Sequence, residues 1–566
     1  MQHGVTAQAN ARPDAWALAF KGTRMTYGAL EETSNRLGHL LKDAGCGRGD
    51  RVGLLMPKMP AAIVAMLGVL KADAIYVPMD PASPAERQAR VLEISDCRCI
   101  LAAGPVGPAL HDALAAATLR QQPIIGWLDD SPPPQAAPAP AFCLRDLAAF
   151  AATCPVSANG GDDVAHILFT SGSTGLPKGV MISHGAVVNL IEWGRAYFGI
   201  TRTDRVSQHP PLRFDVSTFD IFGTLCSGAE LHLVPAELNL LPHKLAQFIR
   251  DARLTQWFSV PSVLNLMTNF DVVRQDDFPA LREVLFAGEA IPTPTVIHWM
   301  RRLPHVRFTN LYGPTETTIV SSYYSLPRCP SDEREPIPIG TACAGEELLV
   351  LDDQLQPVVD NEIGELYIRG VGLSPGYWRD PEKTQRAFLP CPGATDAGDR
   401  MYKTGDLVRR SSDGLLHFVG RADTQIKSRG YRIELGEIEA ALHAVSDLQE
   451  SAVLAIKSEG FEGWLICCAY VPAAGRTISL VELRKRVAAL VPGYMIPARW
   501  LCLDVLPKNE NGKIDRPVLR NHFLGAEAGL ATSRTEEAPT EEAPLAGALH
   551  ETHNMMNPHP GRMASD

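Results

Sequence analysis

The chain has 566 residues, of which 45% are hydrophobic and 21% are charged, and its formal net charge at pH 7 is −11. This composition is typical of a globular protein, and a chain of this length can bury a large core without a disulfide or structural metal. The acidic balance argues against nucleic acid or an anionic membrane as partner, because both attract basic faces.

Targeting and metal signals are weak throughout the sequence. The N-terminus lacks a basic segment followed by an apolar one, and the longest apolar run, 61–70, is about half of a membrane span. The twelve cysteines include no C-x-x-C pair, which argues against a zinc site. We therefore expect a cytoplasmic protein with free thiols.

The first part of the chain alternates helical and strand-like patterns. Helices are predicted over 30–43 and 61–71, and strands over 51–56 and 75–78. Such alternation indicates parallel β-α-β units. The alternation resumes at 164–169 and continues past residue 300.

The later part of the chain changes character at about residue 345. Short strands are predicted over 347–352, 364–369 and 414–420, separated by turns rich in Gly, Pro and Asp. Helices are predicted near 436–444 and 479–490. After about residue 525 the sequence is rich in Ala, Glu, Thr and Pro and lacks apolar periodicity, which is typical of a disordered tail.

One segment carries a clear phosphate-binding pattern, Phe169-Thr170-Ser171-Gly172-Ser173-Thr174-Gly175-Leu176-Pro177-Lys178-Gly179. It follows an apolar strand, and its glycines let the backbone approach a ligand closely. The hydroxyls and N–H groups form a donor set suited to phosphate oxygens, and Lys178 adds a positive charge. It is not a Walker A loop, because Lys178 is followed by glycine rather than by Ser or Thr. A Ser/Gly-rich loop alone is more often a linker, so this segment only suggests ATP.

Six further blocks follow in the order found in the adenylate-forming superfamily, which includes amino-acid adenylation domains, acyl-CoA synthetases and luciferase. They are NLYGPTET at 310–317, GEL to GYW at 364–378, YKTGD at 402–406, GRADTQIK at 420–427, RGYRIELGEIE at 429–439 and NGKIDR at 511–516. The resemblance spans about residues 15–525. It is strongest to stand-alone amino-acid adenylation enzymes of the nonribosomal peptide synthetase type, among them L-proline:prolyl-carrier-protein ligases.

The resemblance implies an α/β fold with two domains. The large N-terminal domain, residues 1–420, would contain two doubly wound α/β subdomains and a distorted β-barrel. A small mobile α+β domain, 421–525, and a disordered tail, 526–566, would follow. Asp423 matches the family's hinge, where the small domain reorients. One orientation would present Lys513 for adenylation, and the other would open a thiol tunnel near residues 430–432.

The resemblance also assigns an ATP site. Adenylation joins a carboxylate to the α-phosphorus and displaces pyrophosphate, so catalysis is mainly positioning and charge stabilisation. Lys513, Thr174 and Glu316 would be catalytic, Glu316 would hold Mg²⁺, and Tyr312 would stack on adenine. The full implied ATP-binding set is Thr170, Ser171, Gly172, Ser173, Thr174, Gly175, Lys178, Asn310, Tyr312, Gly313, Thr315, Glu316, Asp406 and Arg421.

The acid substrate is expected to be a small amino acid. Asp215, in the block FDVSTFDI at 214–221, falls where the family holds the α-ammonium group. Asp220 is expected to be a structural or capping carboxylate. The family's specificity positions give an apolar lining that suits L-proline, followed by alanine or valine: Asp215, Val216, Phe219, Phe258, Leu285, Ala287, Leu311, Ile319, Val320 and Lys513. Apolar side chains that differ by a methylene are separated by only about 1–3 kcal/mol.

The acceptor is expected to be the phosphopantetheine thiol of a carrier protein acting in trans, because no carrier-type serine motif follows Lys513. Three alternatives stay open: an acyl-CoA synthetase using coenzyme A, an inactive binding protein and a luciferase-like oxygenase. Asp215 argues against the first, because a substrate without an amine does not need it. The intact Lys178 and Glu316 argue against the second, and nothing selects the third. Asp73 replaces a glycine of the family pattern, and we expect no effect on the chemistry.

Overall fold

The computed structural model describes residues 1–129, 137–172, 176–393, 398–457, 463–509 and 514–533, without the side chains of 525–533. Ser173, Thr174, Gly175 and Lys513 lie outside the described residues, as does the part of the predicted tail from 534 to 566. Within these ranges no helix is long and apolar enough to cross a bilayer. The same ranges contain no group of three or more His, Cys, Asp or Glu side chains placed to hold a metal ion.

The helices begin and end at residues that satisfy their terminal backbone groups. Thr26 accepts a hydrogen bond from the N–H of Ala29, so the helix predicted from residue 30 begins at Tyr27. The helices are Gln2–Ala11, Tyr27–Asp43, Pro60–Lys71, Ala85–Ser95, Gly107–Ala116, His184–Phe198, Val216–Thr218, Thr224–Cys226, Pro242–Ala252, Pro261–Asn269, Thr293–Arg302, Pro381–Ala387, Leu435–His443, Leu480–Ala488 and Arg516–Ser533, with a π turn at Phe219–Gly223 and 3₁₀ turns at Leu144–Ala149, Ala236–Leu238, Thr315–Thr317 and Gly493–Met495.

The strands, numbered in chain order, are β1 (Trp16–Phe20), β2 (Thr23–Thr26), β3 (Arg51–Leu55), β4 (Ile75–Met79), β5 (Cys99–Ala102), β6 (Ile124–Trp127), β7 (Phe142–Cys143), β8 (Val164–Thr170), β9 (Lys178–Ser183), β10 (Arg205–Gln208), β11 (Glu230–Leu233), β12 (Gln256–Ser259), β13 (Glu283–Ala287), β14 (Arg307–Tyr312), β15 (Ser322–Ser325), β16 (Thr341–Ala342), β17 (Glu346–Leu351), β18 (Ile363–Gly370), β19 (Phe388–Pro390), β20 (Arg400–Arg410), β21 (Leu416–Arg421), β22 (Gln425–Ser428), β23 (Tyr431–Glu434), β24 (Leu448–Lys457), β25 (Trp464–Pro472) and β26 (Arg499–Cys502). Every predicted strand and helix is present, with ends that differ by a few residues.

Two large sheets form most of the N-terminal domain. The first has the order β7-β6-β5-β3-β4-β8-β9, and the second has the order β16-β15-β14-β13-β12-β10-β11-β1-β2. The central strands of both are parallel and buried, which is typical of sheets covered by helices. Strands β17 to β21 form a third, antiparallel sheet. The first two sheets match the two α/β subdomains that were predicted, and the third is an antiparallel sheet of five strands where a distorted β-barrel was predicted.

The small C-terminal domain contains the ribbon β22–β23 and the sheet β24-β25-β26. Helix Leu435–His443 packs on this sheet through Ile438 and Leu442, which are fully buried with Val453 and Cys468. A large α/β domain and a small α+β domain are therefore present in the order that the sequence predicts. The helix Arg516–Ser533 continues past residue 525, where the predicted tail begins.

Asp73 has a structural role in the first subdomain. Its backbone φ is +63°, in the left-handed region that favours glycine. Its carboxylate accepts hydrogen bonds from Lys42 Nζ at 2.8 Å, Ser157 Oγ at 2.5 Å and the N–H of Ala158 at 2.9 Å. Burial raises the pKa of Asp73, but these bonds outweigh it and lower the pKa overall. The side chain thus fastens the loop at 157–159 to the subdomain.

Candidate active site

A cavity of about 590 Å³ lies at the carboxyl ends of the parallel strands. Thr170 ends β8, Asp215 follows β10, Gly288 follows β13 and Gly313 follows β14, and all four border this cavity. Ligands of open α/β sheets bind in crevices outside the carboxyl ends of their strands. The small domain closes the opposite wall with residues 429–432. The cavity is therefore the candidate active site.

Asp215 marks one end of the cavity. Its Oδ1 accepts the N–H of Val216 at 2.8 Å, and its Oδ2 accepts the hydroxyl of Thr315 at 2.7 Å. Burial raises the pKa of this carboxyl group above its usual range. Among the described residues, no cationic side chain forms an ion pair with it. A ligand ammonium group would therefore supply the missing positive charge and lower the pKa again.

The predicted specificity positions lie together in one apolar cluster beside Asp215. Val216, Phe258, Ala287 and Ile319 border the cavity. Four others are buried behind this lining, namely Phe219, Leu285, Leu311 and Val320. The ring centroids of Phe219 and Phe258 are 6.1 Å apart in an edge-to-face arrangement. Five of the nine described positions can thus touch a ligand directly, and the rest shape the wall.

Asp220 does not cap a helix, so that part of its expected role is wrong. Asp215 is the N-cap residue of Val216–Thr218, and Asp220 lies in the π turn that follows. Asp220 is 1% exposed, and neither carboxylate oxygen has a hydrogen-bond partner among the described residues. Burial raises its pKa well above the usual range, and Lys58 opposes this only in part. The change from helix to π turn is not visible in the sequence.

A second group of predicted residues lies around Asp406, which borders the cavity together with Arg421, whereas Tyr312 is buried behind it. Asp406 Oδ2 accepts the hydroxyl of Tyr312 at 2.5 Å, and Asp406 Oδ1 pairs with Arg421 Nη1 at 2.7 Å. Arg421 also pairs with Asp423, the expected hinge residue, at 2.5 Å. The ammonium group of Lys427 lies 5.7 Å from the centroid of the Tyr312 ring. The Tyr312 ring beside the buried carboxylate of Asp406 suits a base and its ribose. Lys427 was not singled out from the sequence.

The remaining described residues of the predicted ATP-binding set differ in whether they border the cavity. Thr170, Ser171, Gly313 and Thr315 border the cavity. Asn310 does not border it: the amide of this buried side chain donates to the carbonyl oxygen of Pro338 at 2.8 Å.

A buried charge cluster surrounds Glu316, which is fully buried. Its Oε1 accepts Lys178 Nζ at 3.0 Å and the hydroxyl of Tyr377 at 2.8 Å, and its Oε2 pairs with Arg432 Nη1 at 2.6 Å. Burial raises the pKa of Glu316, but the nearby Arg432 and Lys178 outweigh it and lower the pKa overall. The carboxylate therefore stays ionised. Tyr377 and Arg432 lie in matched sequence blocks, yet their contact with Glu316 was not predicted.

Several contacts fix the orientation of the small domain. The N–H of Gly430 donates to Glu289 Oε1 at 2.7 Å, and the hydroxyl of Ser171 donates to the carbonyl oxygen of Arg432 at 2.7 Å. Arg87 of the large domain forms an ion pair with Glu437 of the small domain. Of the two expected orientations, this is the one in which residues 430–432 border the cavity.

Acid activation by ATP requires donors for phosphate, a ligand for a metal ion and a pocket for the acid. The hydroxyl-rich end of β8, the buried ionised Glu316 and the apolar cluster beside Asp215 suit these three tasks. Family models agree: that of "AMP-binding enzyme" matches residues 5–378, and that of "AMP-binding enzyme C-terminal domain" matches residues 437–513.

Known proteins with similar sequence or structure point to the same family. Bacitracin synthase 1 of Bacillus licheniformis is 34% identical over 96% of this chain, which spans 10% of that relative. The Vibrio cholerae adenylation domain AlmE, solved with glycyl-adenosine-5'-phosphate, has a TM-score of 0.80 at 27% identity over 93% of this chain and 97% of its own.

The artificially fused adenylation–PCP di-domain NpsA-ThdA of Klebsiella oxytoca has a TM-score of 0.72 at 25% identity. It covers 88% of this chain and 93% of its own. Together with the family models and the other relatives, it leads to one assignment. The chain belongs to the AMP-binding enzyme family, as an adenylation domain of the nonribosomal peptide synthetase type.

Proposed function

We propose that the protein activates a small apolar amino acid with ATP, forming an aminoacyl adenylate and pyrophosphate, and then transfers the aminoacyl group to a thiol. The observation that carries this proposal is Asp215, a buried carboxylate beside the apolar cluster that borders the cavity, which forms no ion pair with any described side chain. An amino acid supplies the ammonium group for this carboxylate. A fatty or aryl acid would leave it unpaired, which costs several kcal/mol in a desolvated site.

The first half-reaction uses two groups of residues, one around Asp215 and one around Asp406. The ammonium group at Asp215 would orient the substrate so that its carboxylate points toward Thr315 and the phosphate loop. A carboxylate oxygen attacks the α-phosphorus, and the bond from this phosphorus to the bridging oxygen breaks as pyrophosphate leaves. Tyr312 and Asp406 would hold the adenosine. Lys178 and Lys513 would offset the negative charge on the phosphates, and the hydroxyl of Ser171 would donate a hydrogen bond to them.

Glu316 is proposed to hold Mg²⁺. Its buried carboxylate stays ionised, and oxygen ligands of this kind suit the ion. The ion, when bound, neutralises charge on the phosphates of ATP. In this orientation Arg432 occupies Oε2 of Glu316, and Lys178 and Tyr377 occupy Oε1, so an ion could bind Oε2 once Arg432 moves away.

L-Proline is the favoured substrate, with alanine and valine next. The wall formed by Val216, Phe258, Ala287 and Ile319 has no side chain that would pair with a charged or hydroxylated substrate. Phe219 stands behind this wall and limits the depth of the pocket. The similar adenylation domain AlmE was solved with a glycyl adenylate, which supports a small amino acid.

The acceptor is proposed to be the phosphopantetheine thiol of a separate carrier protein. The sulfur attacks the carbonyl carbon of the adenylate, the bond from this carbon to the phosphate oxygen breaks, and AMP leaves while the thiol proton passes to solvent. The similar di-domain NpsA-ThdA contains an adenylation domain fused to a PCP, which supports this acceptor. Coenzyme A is the alternative acceptor.

Pyrophosphate release from Mg²⁺ and ATP tests the proposal. We expect release that depends on a small amino acid, most strongly on L-proline, and none with fatty or aryl acids. Transfer to a panel of phosphopantetheine-loaded carrier proteins and to coenzyme A then identifies the thiol. Release that depends on a fatty or aryl acid would refute the role of Asp215.

A further inference from the structure

The wall of the amino-acid pocket contains a strained turn. Ile319, which borders the cavity, has a backbone φ of +75°, and the preceding Thr318 has a φ of +55°. The N–H of Val320 donates to the carbonyl oxygen of Thr318 at 2.9 Å, which closes a γ turn around Ile319. A positive φ is unusual for any residue with a side chain, and it is most costly for a β-branched one such as Ile319. Such a turn persists only where the contacts around it hold it in place.

Two hydrogen bonds hold the backbone on either side of this turn. After the turn, the N–H of Ser321 donates to the carbonyl oxygen of Tyr312 at 2.8 Å, in the neighbouring strand β14. Before it, the hydroxyl of Thr318 donates to the carbonyl oxygen of Gly372 at 2.6 Å. Gly372 follows β18 and belongs to the third sheet. The wall of the pocket is therefore held from a sheet other than the one that carries it.

Glu346, the first residue of β17, fixes this glycine in place. Its Oε1 accepts the N–H of Gly372 at 2.7 Å. A Cβ atom at position 372 would come within 2.6 Å of this oxygen and 2.7 Å of the carbonyl oxygen of Thr317, so only glycine fits between them. A chain of hydrogen bonds thus runs from Glu346 through Gly372 to Thr318, where the strained turn begins.

Glu346 also lies beside one of the predicted specificity positions. It borders, together with Val320, a small cavity of about 10 Å³, which has room for one water molecule at most. The Oε2 of Glu346 is buried and has no hydrogen-bond partner among the described residues. Burial raises the pKa of this carboxyl group to about 8, so most of it is protonated near neutral pH. Glutamine at this position therefore keeps an oxygen acceptor without changing the charge.

We propose that Glu346 is a positioning residue for amino-acid selectivity, which it sets by holding the strained turn at Ile319 through Gly372. This inference rests on the proposed function, because it requires an amino acid in the pocket that Ile319 borders. Without the bond from Glu346 the turn relaxes, the wall moves, and larger side chains enter the pocket more easily. Selectivity for a small amino acid then falls, whereas ATP, whose proposed contacts lie around Asp406, binds as before.

The experiment measures amino-acid-dependent pyrophosphate release from Mg²⁺ and ATP, and compares kcat/KM for the preferred small amino acid with kcat/KM for leucine. In Glu346→Ala the N–H of Gly372 loses its acceptor, so the ratio should fall about fivefold or more, as for loss of one hydrogen bond. Thr318→Val removes the next bond at nearly constant shape and should lower the ratio similarly. Glu346→Gln should retain the wild-type ratio. Glu347→Ala, which removes an exposed carboxylate from the same strand, is the matched control.

The double variant Glu346→Ala/Thr318→Val separates this role from a general loss of stability. Because both bonds lie in one chain, its ratio should equal that of the single variants, whereas independent effects would multiply. The KM of ATP should stay near the wild-type value in all variants.

Three results would overturn the proposal: an unchanged ratio in Glu346→Ala and Thr318→Val, a ratio that falls equally in Glu346→Gln, or a KM of ATP that rises together with the loss of selectivity. If the wild type releases no pyrophosphate with any amino acid, the proposed function fails instead.

Discussion

The hydroxyl of Thr315 donates a 2.7 Å hydrogen bond to Asp215, and this bond joins the proposed amino-acid end of the cavity to the segment that carries Glu316. Asp215 follows β10, whereas Thr315 begins the 3₁₀ turn after β14. The contact places the proposed ammonium-binding carboxylate next to the residue that precedes the proposed metal ligand. Substrate and phosphate sites are thus connected by one hydrogen bond between two strand ends.

Replacing Asp215 should remove the preference for amino acids. Asp215→Asn keeps the shape of the side chain and one of its two accepted hydrogen bonds but loses the charge, so the KM of the amino acid should rise by about 10²-fold or more. The KM of ATP should change less, because the hydrogen bonds of Asp215 go to Val216 and Thr315 and not to Tyr312 or Asp406. Steady-state pyrophosphate release measures both constants. Unchanged amino-acid selectivity would contradict the assignment.

Asp220→Asn is the matched control and has its own predicted effect on stability. Because burial raises the folded-state pKa of Asp220, the folded protein binds its proton more tightly than the unfolded chain. The contribution of Asp220 to the free energy of unfolding is therefore fully present below the ordinary pKa of about 3.9. It is lost as pH rises through the folded-state pKa. Asp220→Asn should be more stable than the wild type at neutral pH and should lose this advantage toward pH 4. Thermal unfolding of both proteins across this pH range checks the direction of the effect. A difference in stability that does not change with pH would contradict the prediction.

Lys513→Ala should slow adenylation by about 10²–10³-fold, as expected for loss of one transition-state donor. Amino-acid binding should change much less. Thiol transfer from adenylate supplied separately should be retained, because the cavity in the present orientation is closed by residues 429–432 instead. Single-turnover kinetics of the two half-reactions separate these effects. A wild-type adenylation rate would remove this role from Lys513.

Glu289→Ala should affect the second half-reaction selectively. Glu289 accepts the N–H of Gly430, in the small domain, at 2.7 Å and the N–H of Ser262, in the large domain, at 3.1 Å. Its loss removes the acceptor of Ser262 in either orientation, but it leaves the Gly430 donor unpaired only when the small domain is docked. Each unpaired donor costs about 1–3 kcal/mol, so thiol transfer should slow by about tenfold or more while adenylation stays near the wild-type rate. Glu382→Ala, an exposed residue, serves as the control. Equal slowing of both half-reactions would contradict a role in docking.

Local patterns predicted much of the fold. The helix Pro60–Lys71 and the buried strands β3 and β4 follow from their apolar runs, and their ends needed only small corrections. The helix Gln2–Ala11 was not predicted, because its apolar pattern is weak and its burial depends on distant residues such as Cys226. Periodicity cannot reveal an element whose packing partners lie so far along the chain.

The site was predictable in composition but not in its connections. The sequence blocks named Glu316, Asp406 and Asp215. In the structure Asp215 and Asp406 border the cavity, and Glu316 directly follows Thr315, which also borders it. The contacts of Arg87 with Glu437 join residues 350 positions apart and depend on how the small domain is oriented. Local sequence patterns carry no information about that orientation, so these partners could be found only in the structure.

The most direct test of the proposed function is amino-acid-dependent pyrophosphate release from Mg²⁺ and ATP, measured across the proteinogenic amino acids with fatty and aryl acids for comparison. We predict release with small apolar amino acids, greatest for L-proline, and its loss in Asp215→Asn but not in Asp220→Asn. Release that is greatest with a fatty or aryl acid, or that is equal in wild type and Asp215→Asn, would contradict the proposed function.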